Sequence, residues 1–341
     1  MGTAKIRAGV FLALTLLLVV MLVAGVGIGS VRIPARTVLQ ILVAPLTQSV
    51  TGDIPPSWPV IIFRLRLPRV LVAMQVGAAL ALAGGTMQGL FRNPLADPYV
   101  VGVSSGAAVG ATAALLFGLG WNSHGVILIP LFAFAGGLAA LFLVHSLALS
   151  GGKLSTLSLL LAGIAVSTFL GAVVSLLIFF SGSQLQQVVF WLMGGFAGRK
   201  WFHVYAILPY LLVGGALIIW HSRDLDALTL GEEQAHYMGV DVEKVKKRLL
   251  WAAALLAAAA VSISGLIGFV GLVVPHAIRL VGGPSHRWLL PAAGLAGAVY
   301  LCAADLAART VLAPVELPVG IVTAVVGGPF FLYLLRKRRV A

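Results

Sequence analysis

Runs of apolar residues, each about as long as a membrane-crossing helix, recur along this chain with short polar turns between them. A hydrocarbon core of roughly 30 Å takes about 20 apolar residues in helical form. Such runs cover residues 8–29, 68–91, 99–119, 125–149, 155–180, 202–220, 249–267, 268–283, 288–308 and 317–335, the eighth being short. The pattern predicts an all-α, polytopic membrane protein of about ten spans, a single transmembrane domain over residues 1–341. No charge marks the boundary at 267/268, within "SGLIGFVGLVVPH". The first run could act as a secretory signal, with Lys5 and Arg7 ahead of it. It exceeds the roughly 7–15 residues of a signal core, however, and no small-residue cleavage motif follows it.

Composition agrees: 60% of residues are hydrophobic, 10% are charged, and mean hydropathy is +1.06, far from the globular range. Cys302 is the only cysteine, so neither an internal disulfide nor a thiolate cluster is available. With the N-terminus inside and ten spans, fifteen of the 23 bases fall on the cytosolic side, as the positive-inside rule requires. Both termini are then cytosolic. The net charge of +13 follows from topology and contact with membrane lipid, and calls for no nucleic acid.

Eight bases remain outside. In "FRLRLPR" (63–69), Arg64, Arg66 and Arg69 crowd the outer end of span two. They suit snorkelling to lipid phosphates or a rigid basic rim for an acidic partner, since guanidinium groups bind carboxylates bidentately. Periodicity leaves both readings open.

The acids are distributed differently. Six of ten lie between Asp224 and Glu243, and the others are Asp53, Asp97, Asp305 and Glu316. Asp53 falls in the first outer loop, Asp97 in the turn after span two, and Asp305 and Glu316 near one outer corner. Asp305 and Arg309 stand four apart on one helix and are placed to pair. No carboxylate sits in mid-span, where ion-coupled transporters keep theirs, so energy is expected from another polypeptide. The chain has no P-loop of its own: Leu154 follows Gly152-Lys153 where Ser or Thr is needed, and Leu147 replaces the first glycine. Ser104 and Ser105, among glycines, suit close helix packing better than nucleophilic catalysis. His145, His203 and His276 are too scattered to argue a metal or haem site from spacing.

Two proline breaks interrupt the helical pattern. In "FRNPLADPYVVGVSSGA" (91–107) Pro94 and Pro98 stop the helix, and Asn93 or Asp97 can cap the next one. The second break lies in "GFVGLVVPHAIR" (268–279). Paired breaks point weakly to a pathway. The charged segment "DLDALTLGEEQAHYMGVDVEKVKKR" (224–248) reads as two short helices. Thr229-Leu230-Gly231-Glu232 fits a capping box that opens a helix through Met238. Gly239 closes that helix in the left-handed conformation, and Asp241 caps a helix leading into span seven. Such a unit, residues 221–248, is a docking module between spans rather than a linker.

Seven stretches then stand in a familiar order: "RLPR" (66–69), "RNPLADPYVVGVSSGA" (92–107), "WLMGG" (191–195), "LGEEQAHYMGV" (230–240), "GFVGLVVPHAIR" (268–279), "AADLAAR" (303–309) and "ELPVGIVTAVVGGPFF" (316–331). Together they resemble the FecCD-type permeases, membrane subunits of bacterial ABC importers for iron-siderophores, vitamin B12 and haem. The resemblance implies a homodimeric permease of ten helices per subunit in the inner membrane. Two ABC ATPase subunits carrying ATP and Mg would sit below it, and a periplasmic or lipid-anchored substrate-binding protein would dock outside. The chain itself would bind no cofactor and catalyse no reaction. Matching positions give ATPase-coupling residues Asp224, Leu228, Gly231, Glu232, Glu233, Ala235 and Gly239, and binding-protein docking residues Arg66, Arg69 and Arg309. A cytosolic gate is implied at Asn93, Leu95 and Thr156, although Leu157 departs from the polar residue of a vitamin B12-importing relative. The competing reading is an ion-coupled secondary transporter working without an ATPase. The substrate, whether siderophore, cobalamin or haem, is not written in the permease.

Overall fold

A computed structural model describes residues 2–29, 31–47, 54–119, 125–150 and 153–338. Asp53, expected in an outer loop, and Gly152 lie outside the described residues. The helices in chain order are α1 (Gly2–Gly27), α2 (Ala35–Thr47), α3 (Ser57–Val60), α4 (Leu67–Leu90), α5 (Val103–Leu116), α6 (Gly125–Ala148) and α7 (Thr156–Phe179). They continue as α8 (Leu185–Met193), α9 (Trp201–Trp220), α10 (Ser222–Leu230), α11 (Glu232–Tyr237), α12 (Val242–Ser264), α13 (Val270–Gly282), α14 (His286–Ala308) and α15 (Val319–Arg338). A π-helical turn over Ile61–Arg66 joins α3 to α4 in one 34-residue rod. Two-residue strands β1 (Leu149–Ser150) and β2 (Lys153–Leu154) pair antiparallel between α6 and α7.

Each predicted run coincides with a helix. Among the described residues, seven helices, including that rod, are long and apolar enough to cross a membrane, which makes the chain a multi-pass membrane protein. α5, α13 and α15 are shorter apolar helices. Three helices go beyond the prediction, α3 being the start of the rod. α2 is amphipathic, burying Val38 and Ile41 against α1 and α4 while Leu39 and Val43 stay exposed. α8 buries only Val188.

The rod is the hub. Four-fifths of its apolar window is buried, against about one-tenth for α1 and α7, and α4 touches α9, α12, α13 and α14. Small residues permit this approach. A Cβ on Gly77 would come within 2.1 Å of the Gly297 carbonyl oxygen in α14, and one on Gly84 within 1.9 Å of the Gly271 carbonyl oxygen in α13. Bare backbone is therefore the contact surface at both crossings.

The second break begins earlier than the expected boundary at 267/268. α12 stops at Ser264, and α13 starts only at Val270. Gly265 takes φ +70°, where a Cβ would lie 2.2 Å from the Trp191 carbonyl oxygen, so helix cannot continue through it. The freed backbone is satisfied from neighbouring elements: Gly195 N donates to Ser264 O (2.8 Å) and Tyr99 Oη to Ile267 O (2.9 Å). Tyr99 belongs to the first break, so the two breaks are hydrogen-bonded to each other. There, Asn93 Oδ1 accepts from Leu95 N, and Asp97 caps a 3₁₀ turn by accepting from Tyr99 N. Burial pushes the Asp97 carboxyl up to about 6, with the Tyr99 amide only partly offsetting it.

Gly84→Leu should force α4 from α13, an overpacking that costs about 1–3 kcal/mol. The expected result is a lower thermal midpoint of the detergent-solubilised chain, with Gly9→Leu, where nothing lies within 4 Å, as the neutral control. Because the folded-state pKa of Asp97 is raised, its charge weakens the fold as pH climbs from about 4 through about 6. Asp97→Asn should therefore raise the midpoint at pH 7.5 and have almost no effect at pH 4; an equal gain at both pH values would contradict this.

Candidate functional site

Two clusters of charge sit at opposite ends of the α4 rod. The first is the segment around α10 and α11. α10 is pinned to the protein by its middle: Asp226 accepts from His286 N (2.7 Å) and Ser285 Oγ (3.1 Å) and contacts His286 Nδ1 (2.7 Å), so it caps α14 from outside. Burial works against the charge, but these contacts outweigh it and hold the Asp226 carboxyl below its ordinary value. Leu225 and Leu228 bury the underside of α10, and Asp224 closes back on His221 Nδ1 at 2.6 Å.

The expected capping box is not formed. Thr229 lies in the last turn of α10, its hydroxyl donating to Asp226 O, and Gly231 occupies the N-cap position of α11 without a side-chain cap. The cause is the Gly231 backbone, at φ +144° and ψ +146°, which turns the chain between α10 and α11 and ends one helix before the next begins. Gly239 does close α11 at φ +86°, with Gly239 N bonded to His236 O and Val240 N to Ala235 O in a Schellman arrangement. Asp241 caps α12, accepting from Lys244 N. Ala235 is fully buried, so α11 is seated by a single methyl. Its outer face carries Glu232, Glu233, Tyr237 and Met238, all exposed. Of the coupling positions implied by the resemblance, Leu228 and Ala235 are inward supports, whereas Glu232, Glu233 and Gly239 face outward.

Lys246 was invisible as anything but a topological base. Its side chain is only 6% exposed, and Nζ reaches Glu232 Oε1 (3.0 Å), Glu243 Oε1 (3.6 Å) and the Leu154 carbonyl. Glu243 in turn accepts from Leu154 N (3.0 Å). One ammonium therefore joins α11, α12 and β2, two residues before Thr156. A cavity of about 330 Å³ gathers Arg92, Thr156 and Glu232. Of the gate candidates, Thr156 lines this cavity with Glu232, whereas Asn93 and Leu95 do not, Asn93 standing next to the lining residue Arg92.

The second cluster lies at the opposite end of the rod, around a cavity of about 1280 Å³ bounded by Arg64, Arg66, Arg69, Arg199, Lys200 and Arg309. These bases divide sharply. Arg66 is buried and caps the end of α1, Nη1 donating to Val26 O (2.9 Å) and Gly27 O (3.0 Å). Arg309 donates to Gly25 O. Asp305 is closer to Arg69 (2.8 Å) than to its helical neighbour Arg309 (3.7 Å), and Arg69 also holds Glu316 (2.9 Å). Burial, reinforced by the charge of Arg69, lowers Arg199 to about 10. Arg64 and Lys200 are exposed. Sequence reasoning brought Asp305, Glu316 and Arg309 to one corner, but it did not set Arg69 against Asp305 or bring Arg199 and Lys200 to this cavity.

The chain matches the model of the FecCD transport family over residues 16–337. It is 49% identical over 312 residues to the cobalamin import system permease protein of Halobacterium salinarum, covering 92% of this chain and 81% of that one. It is 43% identical to the hemin transport system permease protein of Yersinia pestis, covering 96% and 95%. Among solved structures, an inward-facing conformation described as that of a metal-chelate type ABC transporter superposes with a TM-score of 0.83 at 36% identity, over 98% of this chain and 99% of that one. Fold, site geometry and these likenesses converge: the chain belongs to the FecCD transport family.

Proposed function

We propose that this chain is the permease subunit of an ATP-driven importer in the bacterial inner membrane, moving a metal chelate such as ferric siderophore, vitamin B12 or haem. The observation that carries the reading is the α10–α11 knob. It presents an exposed outer face, is pinned to α14 through Asp226, and shares the Lys246 ammonium with the segment leading to Thr156. Two copies of the chain form the pathway, each crossing ten times, with α5, α13 and α15 as the shorter crossings and both termini cytosolic. Two ATPase subunits, which hold ATP and Mg, grip the knobs. A soluble or lipid-anchored binding protein delivers substrate at the opposite mouth. ATP-driven movement of α11 is passed through Lys246 to the start of α7, and the pathway opens alternately to each side. An ion-coupled mechanism would call for a carboxylate in mid-span. Asp305 lies near the end of α14 and is paired with Arg69 and Arg309.

Reconstitution with an ATPase partner and a binding protein tests this reading. Glu232→Arg, at an exposed position, should insert normally and hydrolyse ATP while transport falls about tenfold or more. Lys246→Met should give the same uncoupling from the other side of the contact; wild-type transport in both variants would remove α11 from the coupling path.

At the outer mouth, Arg64→Glu with Lys200→Glu should weaken binding-protein affinity at least about tenfold, most at low salt, without changing the thermal midpoint. Arg66→Ala should instead lower the midpoint, because it uncaps α1. Undiminished affinity in the double variant would place docking elsewhere.

A further inference from the structure

A groove of about 460 Å³ runs between α9 and α12 and belongs to neither cluster. One wall is a stripe of α12 at helical spacing: Lys244, Lys247 and Arg248, then Trp251, then Leu255. The other wall is Val213, Gly214 and Leu217 of α9. Val213 is 69% exposed, and Trp220, at the end of α9, is 83% exposed, so this side of the molecule presents apolar and aromatic groups outward.

The bases of the stripe are not equivalent. Lys244 is taken by Asp241 at 2.7 Å, and Lys246, on the inner side, is consumed by Glu232 and Leu154. Lys247 and Arg248 are exposed and make no hydrogen bond or close ion pair among the described residues. Arg248 feels only the longer-range field of Asp241, whose carboxylate Lys244 already holds. Two free cations therefore head a strip that turns aromatic and then aliphatic. From Lys244 to Leu255 the helix rises about 16 Å, close to half of a roughly 30 Å hydrocarbon core. The order of base, tryptophan and aliphatic floor is that of one phospholipid standing in its own leaflet. A partner helix would match the apolar floor but leave both cations unmet.

We propose that this groove is a binding site for an anionic phospholipid. Lys247 and Arg248 take the headgroup phosphate, Trp251 lies at the glycerol level, and an acyl chain runs between Leu217 and Leu255 over the bare backbone of Gly214. The site is separate from the coupling cluster, although Lys246 and Lys247 are sequence neighbours.

Native mass spectrometry of the full chain in mild detergent, titrated with phosphatidylglycerol or phosphatidylcholine, tests the site. Wild type should retain at least one phosphatidylglycerol per chain in preference to phosphatidylcholine. Lys247→Gln with Arg248→Gln, both at exposed positions, should reduce that preference about tenfold or more. Val213→Trp, which fills the groove and leaves the bases in place, should reduce it as well. Undiminished preference in the double variant overturns the proposal, as does a Val213→Trp chain that binds like wild type. Competition by deacylated glycerophosphoglycerol as effective as the intact lipid would also overturn it, since the acyl groove would then contribute nothing.

Discussion

A broken helix inside a membrane survives only if protein, rather than water, satisfies the backbone it frees. The gap between α12 and α13 is where this constraint is sharpest. Its carbonyls are met by Gly195 N at Ser264 and by Tyr99 Oη at Ile267, and Gln88 Nε2 donates to Gly271 O and Leu272 O. Arg279 then holds Gln88 Oε1. Each donor comes from a different part of the chain: the turn after α4, the loop after α8, and α4 itself. The short helix α13 is thus possible only because α4 packs against it backbone to backbone at Gly84 and Gly271. Break, hub helix and small-residue crossings form one mutually dependent unit.

Charge is handled by the same accounting. Arg66, Arg309 and Lys246 are almost fully buried, and each donates to at least one carbonyl contributed by a distant segment. A buried cation left unpaired is costly, so these contacts fix geometry at the ends of α1, α14 and β2. Among the described residues, exposed cations without a close ion pair include Arg64 and Lys200 beside one cavity and Lys247 and Arg248 beside another.

The helices were legible because hydrophobic run length responds to the bilayer directly, and all ten runs coincide with helices. α2 escaped because its amphipathic pattern is short and follows a turn, and α12 ended early because a left-handed glycine leaves no trace in hydropathy. The charged segment was legible as two helices, yet its joint was misread. A Thr-x-x-Glu pattern is satisfied equally by a cap and by a Thr finishing the preceding helix, and only the Gly231 dihedrals decide between them. The contact of Arg69 with Asp305 spans 236 residues and that of Lys246 with Leu154 spans 92, separations at which no periodicity carries information. Local chemistry was readable, and the pairing of distant charges was not.

The 34-residue rod that includes α4 gives the two clusters a common frame. Near its start, Arg66 and Arg69 tie it to α1, α14 and Glu316; near its end, Gln88 holds α13, and Gly89 leaves room for His286 and Leu225 beneath α10. Between these ends two crossings set backbone on backbone, Gly77 against Gly297 of α14 and Gly84 against Gly271 of α13. A push on α10 would meet α4 at Gly89 through the Leu225 side chain, and close-packed interiors transmit strain rather than absorb it. The rod that carries Arg66 and Arg69 near one end is thus the helix against which α10 is seated at the other.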